Sequence, residues 1–213
     1  METLLRNDFT SYYGLPVASG ILKKATNLSY FELKDDVNLI YPNNGDGIAK
    51  YKNTNSLLVN MLNYEAFIDT LPQSFCQNRK KCDLIVYTDS PQYFLLNELT
   101  DTLPKYVDSF INSYGLQQGK REKAISQLKS SLFDLMAVST IRTFSDGFDE
   151  KRCCFFNKKP NAPSVIIAVL AFNRLNTISQ NGLQMSNPEM EVFGFSLYEY
   201  SGDQSLSLSQ PLK

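Results

Sequence analysis

The chain has 213 residues, a hydrophobic content of 43% and a formal net charge of −1, a composition typical of a folded protein and not of a disordered one. This charge balance argues against a protein that grips nucleic acid over its whole surface, although it allows a local basic patch. The sequence contains no histidine, which excludes Ser-His-Asp and Cys-His catalysis and zinc hydrolysis by an HExxH motif.

The sequence indicates a protein of the cytoplasm. No apolar run reaches the length of a membrane span, so we expect no transmembrane helix and no association with a membrane. The N-terminal segment lacks the basic and apolar blocks of a secretory signal. The four cysteines form no CxxC motif, and free thiols in a reducing compartment explain them most simply. A Cys76–Cys82 disulfide would require export.

The first third of the chain predicts short elements. Residues 10–24 are expected to hold turns and a short helix, because glycines and a proline interrupt them. Apolar residues on both sides of Lys34-Asp35-Asp36 predict a first hairpin, formed by 28–33 and 37–41. A helix is predicted over 55–69, with Asn55 or Ser56 as its cap.

Residues 81–100, with the sequence KCDLIVYTDSPQYFLLNELT, predict a second hairpin. Two segments rich in β-formers flank a turn at Ser90-Pro91. With that loop Asp83 faces Glu98, at a Cβ separation of about 5 Å, so the two carboxylates could share one ion. A slip of one residue would send one acid to the other face of the sheet. The simpler alternative is that both acids are solvated ends of strands.

The second half of the chain predicts an alternation of helices and strands. The segment after Pro163, SVIIAVLAFNRL, fits either type, and its length favours a helix. The tail, 201–213, is expected to be flexible. The other predicted elements are helices over 104–114 and 120–138, a buried strand over 152–157 and a late strand over 191–200. This order predicts a single α/β or α+β domain with a central mixed sheet flanked by helices.

The order of helix, acidic hairpin, helix and strand over about 55–157 resembles the core of the PD-(D/E)xK nuclease superfamily, a restriction-endonuclease-like core. The residues that carry the likeness are Lys81-Cys82-Asp83 on the first strand and Asn97-Glu98-Leu99-Thr100 on the second. The resemblance implies that Asp83 and Glu98 bind Mg²⁺ or Mn²⁺ and that the chain hydrolyses phosphodiester bonds. It also implies a third ligand, Glu65, on the preceding helix, and catalytic roles for Gln127 and Lys123 on the following one.

The chain departs from the family pattern at Thr100, where the family has a lysine that orients the attacking water and balances charge on the phosphate. A lysine of the following helix could replace it, with Lys120, Lys123 and Lys129 as the candidates. The alternative is a degenerate copy that serves as a non-catalytic binding or regulatory protein.

Two further patterns are candidates for function. Phe31-Glu32-Leu33-Lys34 contains an ExK, but a hairpin that ends in a polar turn explains it more simply. Basic pairs flank the strand over 152–157, and a basic triplet precedes Asp83. A groove that they share could contact the phosphates of a nucleic acid, whereas solubilising surface charges are the plainer alternative. These basic residues are Arg79-Lys80-Lys81, Lys151-Arg152 and Lys158-Lys159.

Overall fold

The structure is a computed structural model that describes residues 1–42, 45–159 and 182–209. Its strands, in chain order, are β1 Lys23–Thr26, β2 Tyr30–Leu33, β3 Ile40–Tyr41, β4 Ala49–Lys52, β5 Val59–Asn63, β6 Leu84–Thr88, β7 Tyr93–Thr100, β8 Phe110–Asn112, β9 Gly115–Gln117, β10 Glu150–Asn157, β11 Leu183–Met185, β12 Ser196–Ser201 and β13 Leu206–Ser207.

Helices occupy the segments between these strands. The first, α1, begins as a π-helix at Leu4–Phe9 and continues as an α-helical turn at Thr10–Tyr12. A 3₁₀ turn, Pro104–Tyr106, precedes β8. The remaining helices are α2 Tyr64–Asp69, α3 Gln73–Cys76, α4 Lys120–Met136, α5 Ser139–Asp146 and α6 Pro188–Glu191. Among the described helices, none has the length and apolar character needed to span a bilayer.

The centre of the fold is a seven-stranded mixed sheet with the order β1-β5-β6-β7-β10-β12-β11. Strands β1, β5, β6 and β7 pair antiparallel in turn. Strand β10 is parallel to β7, and β12 is parallel to β10. Parallel neighbours need a long crossover, and α4 and α5 form the connection from β7 to β10. The predicted α/β fold with a central mixed sheet is confirmed, but helices cover only one face of that sheet in the part of the chain that the structure describes.

Both faces of the large sheet are covered. One face packs against the helices, including Leu128 and Leu132 of α4. The other face packs against a four-stranded sheet with the order β13-β4-β2-β3, which contributes Phe31 and Tyr51. Burial on both sides explains why consecutive residues of a central strand are apolar, as Leu84, Ile85 and Val86 of β6 are. The outermost described strand on one side, β1, begins with two exposed lysines, Lys23 and Lys24.

The predicted hairpin over 81–100 is present, and its register is the expected one. Strand β6 pairs with β7 so that Ile85 opposes Leu96 and Tyr87 opposes Phe94. The predictions of a first hairpin, a helix beginning at Lys120 and a buried strand over 152–157 are also confirmed, as β2–β3, α4 and β10.

The paired cysteines of β10 point to opposite faces, as strand geometry requires. Cys153 belongs to the helix-side core and Cys154 to the core beneath the small sheet, and both are fully buried. All four cysteines are free, including Cys76 and Cys82.

The predicted helix over 55–69 is wrong in its first half. That part forms β5, and only Tyr64–Asp69 is helical. Every residue of β5 is buried, because the strand lies between two others in a sheet that is covered on both sides. Its apolar run therefore lacks the alternation that identifies a half-exposed strand.

The helix predicted over 104–114 is also wrong. After one 3₁₀ turn the chain forms the β8–β9 hairpin, in which Asn112 opposes Gly115. Gly115 has a φ of 98°, which glycine tolerates because it has no Cβ. The apolar residues that suggested a buried helix face, Ile111 and Tyr114, are exposed.

The end of the chain differs from its prediction as well. The segment expected to be a flexible tail includes β13, which pairs parallel to β4, and both Leu206 and Leu208 are fully buried. The predicted late strand begins at Ser196, after the short helix α6. The segment that follows Pro163 lies outside the described residues.

Candidate metal centre

Asp83 lies one residue before β6, where the chain enters the sheet. Its N–H donates to Asn97 O at 3.0 Å, and its Oδ2 accepts the N–H of Leu99 at 2.6 Å. Its carbonyl accepts the N–H groups of Tyr64 at 2.9 Å and Glu65 at 3.2 Å, at the first turn of α2. The backbone of Asp83 thus brings Glu65 to the start of the hairpin.

Glu98 lies on β7, and strand alternation places it on the same face as Phe94 and Leu96, toward the helices. It is only 8% exposed. Its Oε2 is buried and has no hydrogen-bond partner among the described residues. A buried polar atom without a partner is costly and uncommon in native proteins, so this oxygen requires an explanation.

Three carboxylates converge where the chain enters β6. One oxygen each from Asp35, Glu65 and Asp83 lies within 4.8 Å of the other two. Asn63 organises this triad, because its Oδ1 accepts the N–H of Ala66 at 2.8 Å and so caps α2, while its Nδ2 donates to Asp35 Oδ1 at 2.8 Å. We call Asp35, Glu65, Asp83 and Glu98 the acidic cluster.

Burial and mutual repulsion raise the pKa of three members of the acidic cluster. Desolvation is the largest cause for Asp83, Glu98 and Glu65. The negative charge of Asp83 is the next cause for Glu98, which shows that these two carboxylates interact. Carboxylates with raised pKa values at one place are typical of functional sites, although structural networks also produce them.

Helix α4 holds the segment before Asp83 in place. Gln127 Nε2 donates to Lys81 O at 3.0 Å, and the N–H of Cys82 donates to Ser131 Oγ at 2.7 Å. Gln127, predicted as a catalytic residue, therefore contacts the backbone two residues from Asp83. Its catalytic role stays a prediction.

The lysines of α4 differ in their relation to the acidic cluster. The charge of Lys120, the first residue of the helix, lowers the pKa of both Asp83 and Glu98. Lys123 is exposed one turn further along, and its predicted role is untested. Lys129 pairs with Glu189 of α6 at 2.7 Å, an acid outside the cluster.

Lys81 and Thr100 lie next to the cluster. Lys81 Nζ is 3.9 Å from Glu65 Oε1 and also contacts Asp69. Thr100 ends β7, and its hydroxyl lies 2.7 Å from the hydroxyl of Thr102. The threonine at the position of the family's lysine thus has a neutral local partner.

Only some of the predicted basic residues lie at this end of the sheet. The N–H of Lys158 donates to Thr100 O at 2.9 Å, and Lys159 lies 3.3 Å from Asp101. Lys151 and Arg152 are at the other end of β10 and pair with nearby acids. The basic residues therefore do not form one continuous surface around the acidic cluster.

The alternative ExK pattern has a structural explanation. Glu32 is buried, and its Oε2 accepts the N–H of Gly47 at 2.9 Å while its Oε1 accepts the hydroxyl of Tyr30 at 3.1 Å. Its carboxylate is thus satisfied by neighbours within the small sheet.

The acidic cluster offers oxygen ligands only, which suits hard divalent cations such as Mg²⁺, Mn²⁺ and Ca²⁺. The sequence analysis identified three of its members and missed Asp35. The only sequence signal for Asp35 is its place in an acidic turn between two short strands, since its contact with Glu65 depends on how the two sheets pack.

Comparisons of this chain with protein-family models, with curated proteins and with solved structures find no match. The chemistry of the acidic cluster is therefore the basis for a functional conclusion.

Proposed function

We propose that the protein binds Mg²⁺ or Mn²⁺ at Asp83, Glu98 and Glu65 and uses it to hydrolyse phosphodiester bonds. One observation carries the proposal: the Glu98 carboxylate is buried beside Asp83 and leaves Oε2 without a protein partner. A divalent cation would supply that partner and would offset the repulsion between the carboxylates. Membership of the PD-(D/E)xK superfamily is part of this proposal.

The residues around the cluster have distinct parts in the proposed reaction. A bound divalent cation lowers the pKa of a coordinated water and neutralises charge that develops on the phosphate. Asp83 and Glu98, both largely buried, hold the cation in a site whose backbone is fixed by β7 and α2. Gln127 keeps the chain before Asp83 in position through its bond to Lys81 O.

Lys120 is the residue that best replaces the motif lysine. It begins α4, where the aligned peptide dipoles add positive potential, and its own charge acts on both Asp83 and Glu98. It is exposed, so its ammonium group is free to reach a phosphate that approaches from solvent. Lys158 and Lys159 extend the positive charge toward the end of β10 and could contact a nucleic-acid backbone.

The proposal is tested by incubating the purified protein with single-stranded and double-stranded DNA and with RNA, in millimolar Mn²⁺ or in EDTA. We expect Mn²⁺-dependent cleavage that Asp83→Asn reduces by about 100-fold or more, since even the outer hydrogen-bond partners of metal ligands are worth about 10- to 100-fold. Asp149→Asn is the matched control, because Asp149 is exposed and precedes the opposite end of β10. Cleavage in EDTA, or equal activity of the two variants, would refute the proposal.

A second candidate, favoured by Thr100, is a non-catalytic protein that binds nucleic acid or a regulatory partner. Thr100 carries no charge, and its hydroxyl lies beside Thr102. Under this alternative the protein binds Mn²⁺ and cleaves none of the substrates, and Lys120→Ala weakens its binding of nucleic acid.

A further inference from the structure

We propose that Asp35 is a ligand of the same divalent cation, so that the ion joins the four-stranded sheet to the seven-stranded sheet. This inference rests on the proposed cation site, and it goes beyond it by adding a ligand from outside the region that resembles the nuclease core. Asp35 lies in the turn between β2 and β3, far in sequence from Asp83. It is the one member of the acidic cluster that belongs to the smaller sheet.

The first observation is the position of the Asp35 carboxylate. One of its oxygens lies within 4.8 Å of an oxygen of Glu65 and of an oxygen of Asp83. A spacing of this order allows three carboxylates to reach one cation after small side-chain rotations, since each metal–oxygen distance is about 2.0–2.6 Å. Without a cation, three like charges at this separation repel one another.

The second observation is the way in which Asp35 is held. Asn63 Nδ2 donates to Asp35 Oδ1 at 2.8 Å, while Asn63 Oδ1 caps the helix that carries Glu65. One side chain thus fixes two of the acids relative to each other. The carboxyl group of Asp35 also contacts that of Glu65, and two acids in contact need either a shared proton or a cation between them.

The third observation is independent of the triad and concerns Glu98. This side chain is only 8% exposed, and its Oε2 has no hydrogen-bond partner in the part of the chain that the structure describes. Asp83, Glu65 and Asp35 all act on Glu98 electrostatically and raise its pKa, so the negative charge of the triad reaches this carboxylate. A buried acceptor at this depth normally has a partner, and a cation among the four acids would be one.

The chemistry of the four ligands indicates the class of ion. They are carboxylates contributed by the β2–β3 turn, α2, the residue before β6, and β7, with no sulfur or nitrogen ligand among them. Such a set favours a hard, oxygen-seeking divalent cation over Zn²⁺ or Cu²⁺. Because the ligands come from both sheets, binding the ion should restrain the β2–β3 turn against α2.

The test is a titration of the full chain with Mn²⁺ by isothermal calorimetry, comparing the unmodified protein with Asp35→Asn, Asp83→Asn and Asp149→Asn. We expect Asp35→Asn to weaken Mn²⁺ binding by about 10-fold or more and Asp149→Asn to leave it within about twofold. Each of these substitutions removes one negative charge, so a difference between them reports on position and not on net charge. Asp35 is exposed, and circular dichroism would verify that its variant is folded.

A second measurement needs no variant. In the unmodified protein, Mn²⁺ should slow amide hydrogen exchange in the β2–β3 turn, and Asp35→Asn should abolish that effect. The inference is overturned if Asp35→Asn binds Mn²⁺ as tightly as Asp149→Asn, or if exchange in the turn is unaffected. If Asp83→Asn alone loses Mn²⁺ binding, only the role of Asp35 fails. If the unmodified protein binds no Mn²⁺, the proposed function fails with it.

Discussion

The substitution Glu98→Gln should stabilise the protein in the absence of a cation. Glu98 is buried beside other carboxylates, and its Oε2 is unpaired. Leaving such a group without a partner costs about 1–3 kcal/mol, and more when the group is charged. Glutamine is neutral at every pH, so folding does not require it to take up a proton, and its amide N–H can donate to the neighbouring Asp83. We therefore expect the free energy of unfolding to rise by about 2 kcal/mol at pH 8 in EDTA, which corresponds to an increase in Tm of about 4–8 °C for a chain of this size.

The gain should depend on pH in a definite direction. An unperturbed glutamate has a pKa of 4.5, and burial raises the pKa of Glu98 in the folded protein. Above pH 4.5 the folded state therefore retains a proton that the unfolded state has released, so the stability of the unmodified protein falls as pH rises. Glu98→Gln does not have this loss, and the difference in Tm between the two proteins should be small at pH 5 and larger at pH 8.

Glu199→Gln is the matched control. Glu199 is also a buried glutamate, and it lies in the same row across β7, β10 and β12 as Glu98, through Phe155. However, Arg121 binds it with two hydrogen bonds of 2.7 and 2.9 Å. Breaking a buried pair of this kind costs about 3 kcal/mol or more, so the same chemical change should destabilise the protein. Thermal unfolding in EDTA at several pH values checks both, and a lower Tm for Glu98→Gln than for the unmodified protein at pH 8 would refute the reasoning.

Two other predictions concern the core. Leu208→Ala should lower the free energy of unfolding by about 2–5 kcal/mol, because Leu208 is fully buried, whereas Leu183→Ala, at a residue that is 42% exposed, should change it by less than about 0.5 kcal/mol. Urea denaturation measures both, and equal unfolding curves for the two variants would indicate that the end of the chain is a flexible tail. A thiol reagent at pH 8 should label Cys76 rapidly and the other cysteines only on unfolding, since Cys76 is partly exposed while burial raises the pKa of Cys82 and Cys153. Rapid labelling of a folded Cys76→Ser variant would contradict the structure.

The sequence predicted elements well where local signals were sufficient. The register of the β6–β7 hairpin is the one expected for a turn centred on Ser90-Pro91, although the loop between the strands is four residues long, 89–92. The apolar period of α4 identified a helix with one buried face. In both cases the information lay within a window of about twenty residues.

The errors arose where burial or pairing depended on distant parts of the chain. Strand β5 has no alternation because the small sheet covers one face and helices cover the other. Ile111 and Tyr114 have helical spacing, yet they are exposed on a hairpin. The tail contains alternating leucines, and they form a strand only because β4 offers an edge with which to pair.

Local sequence signals predicted three members of the acidic cluster and missed the one whose position depends on distant packing. The positions of Asp83 and Glu98 followed from hairpin register, and Glu65 was found on the predicted helix just before that hairpin. Asp35 could not be predicted, because its approach to Glu65 depends on how the smaller sheet lies against the larger one. No local pattern in the Lys34-Asp35-Asp36 turn encodes that packing.

The two lysines at the start of β1 have a consequence for the behaviour of the protein at high concentration. An outer strand presents unused N–H and C=O groups to which a strand of a neighbouring molecule could bond. β1 is the outermost described strand on its side of the sheet. A strand that paired with it would press against the ammonium groups of Lys23 and Lys24 and displace their water. This side of the sheet is thereby protected against edge-to-edge aggregation.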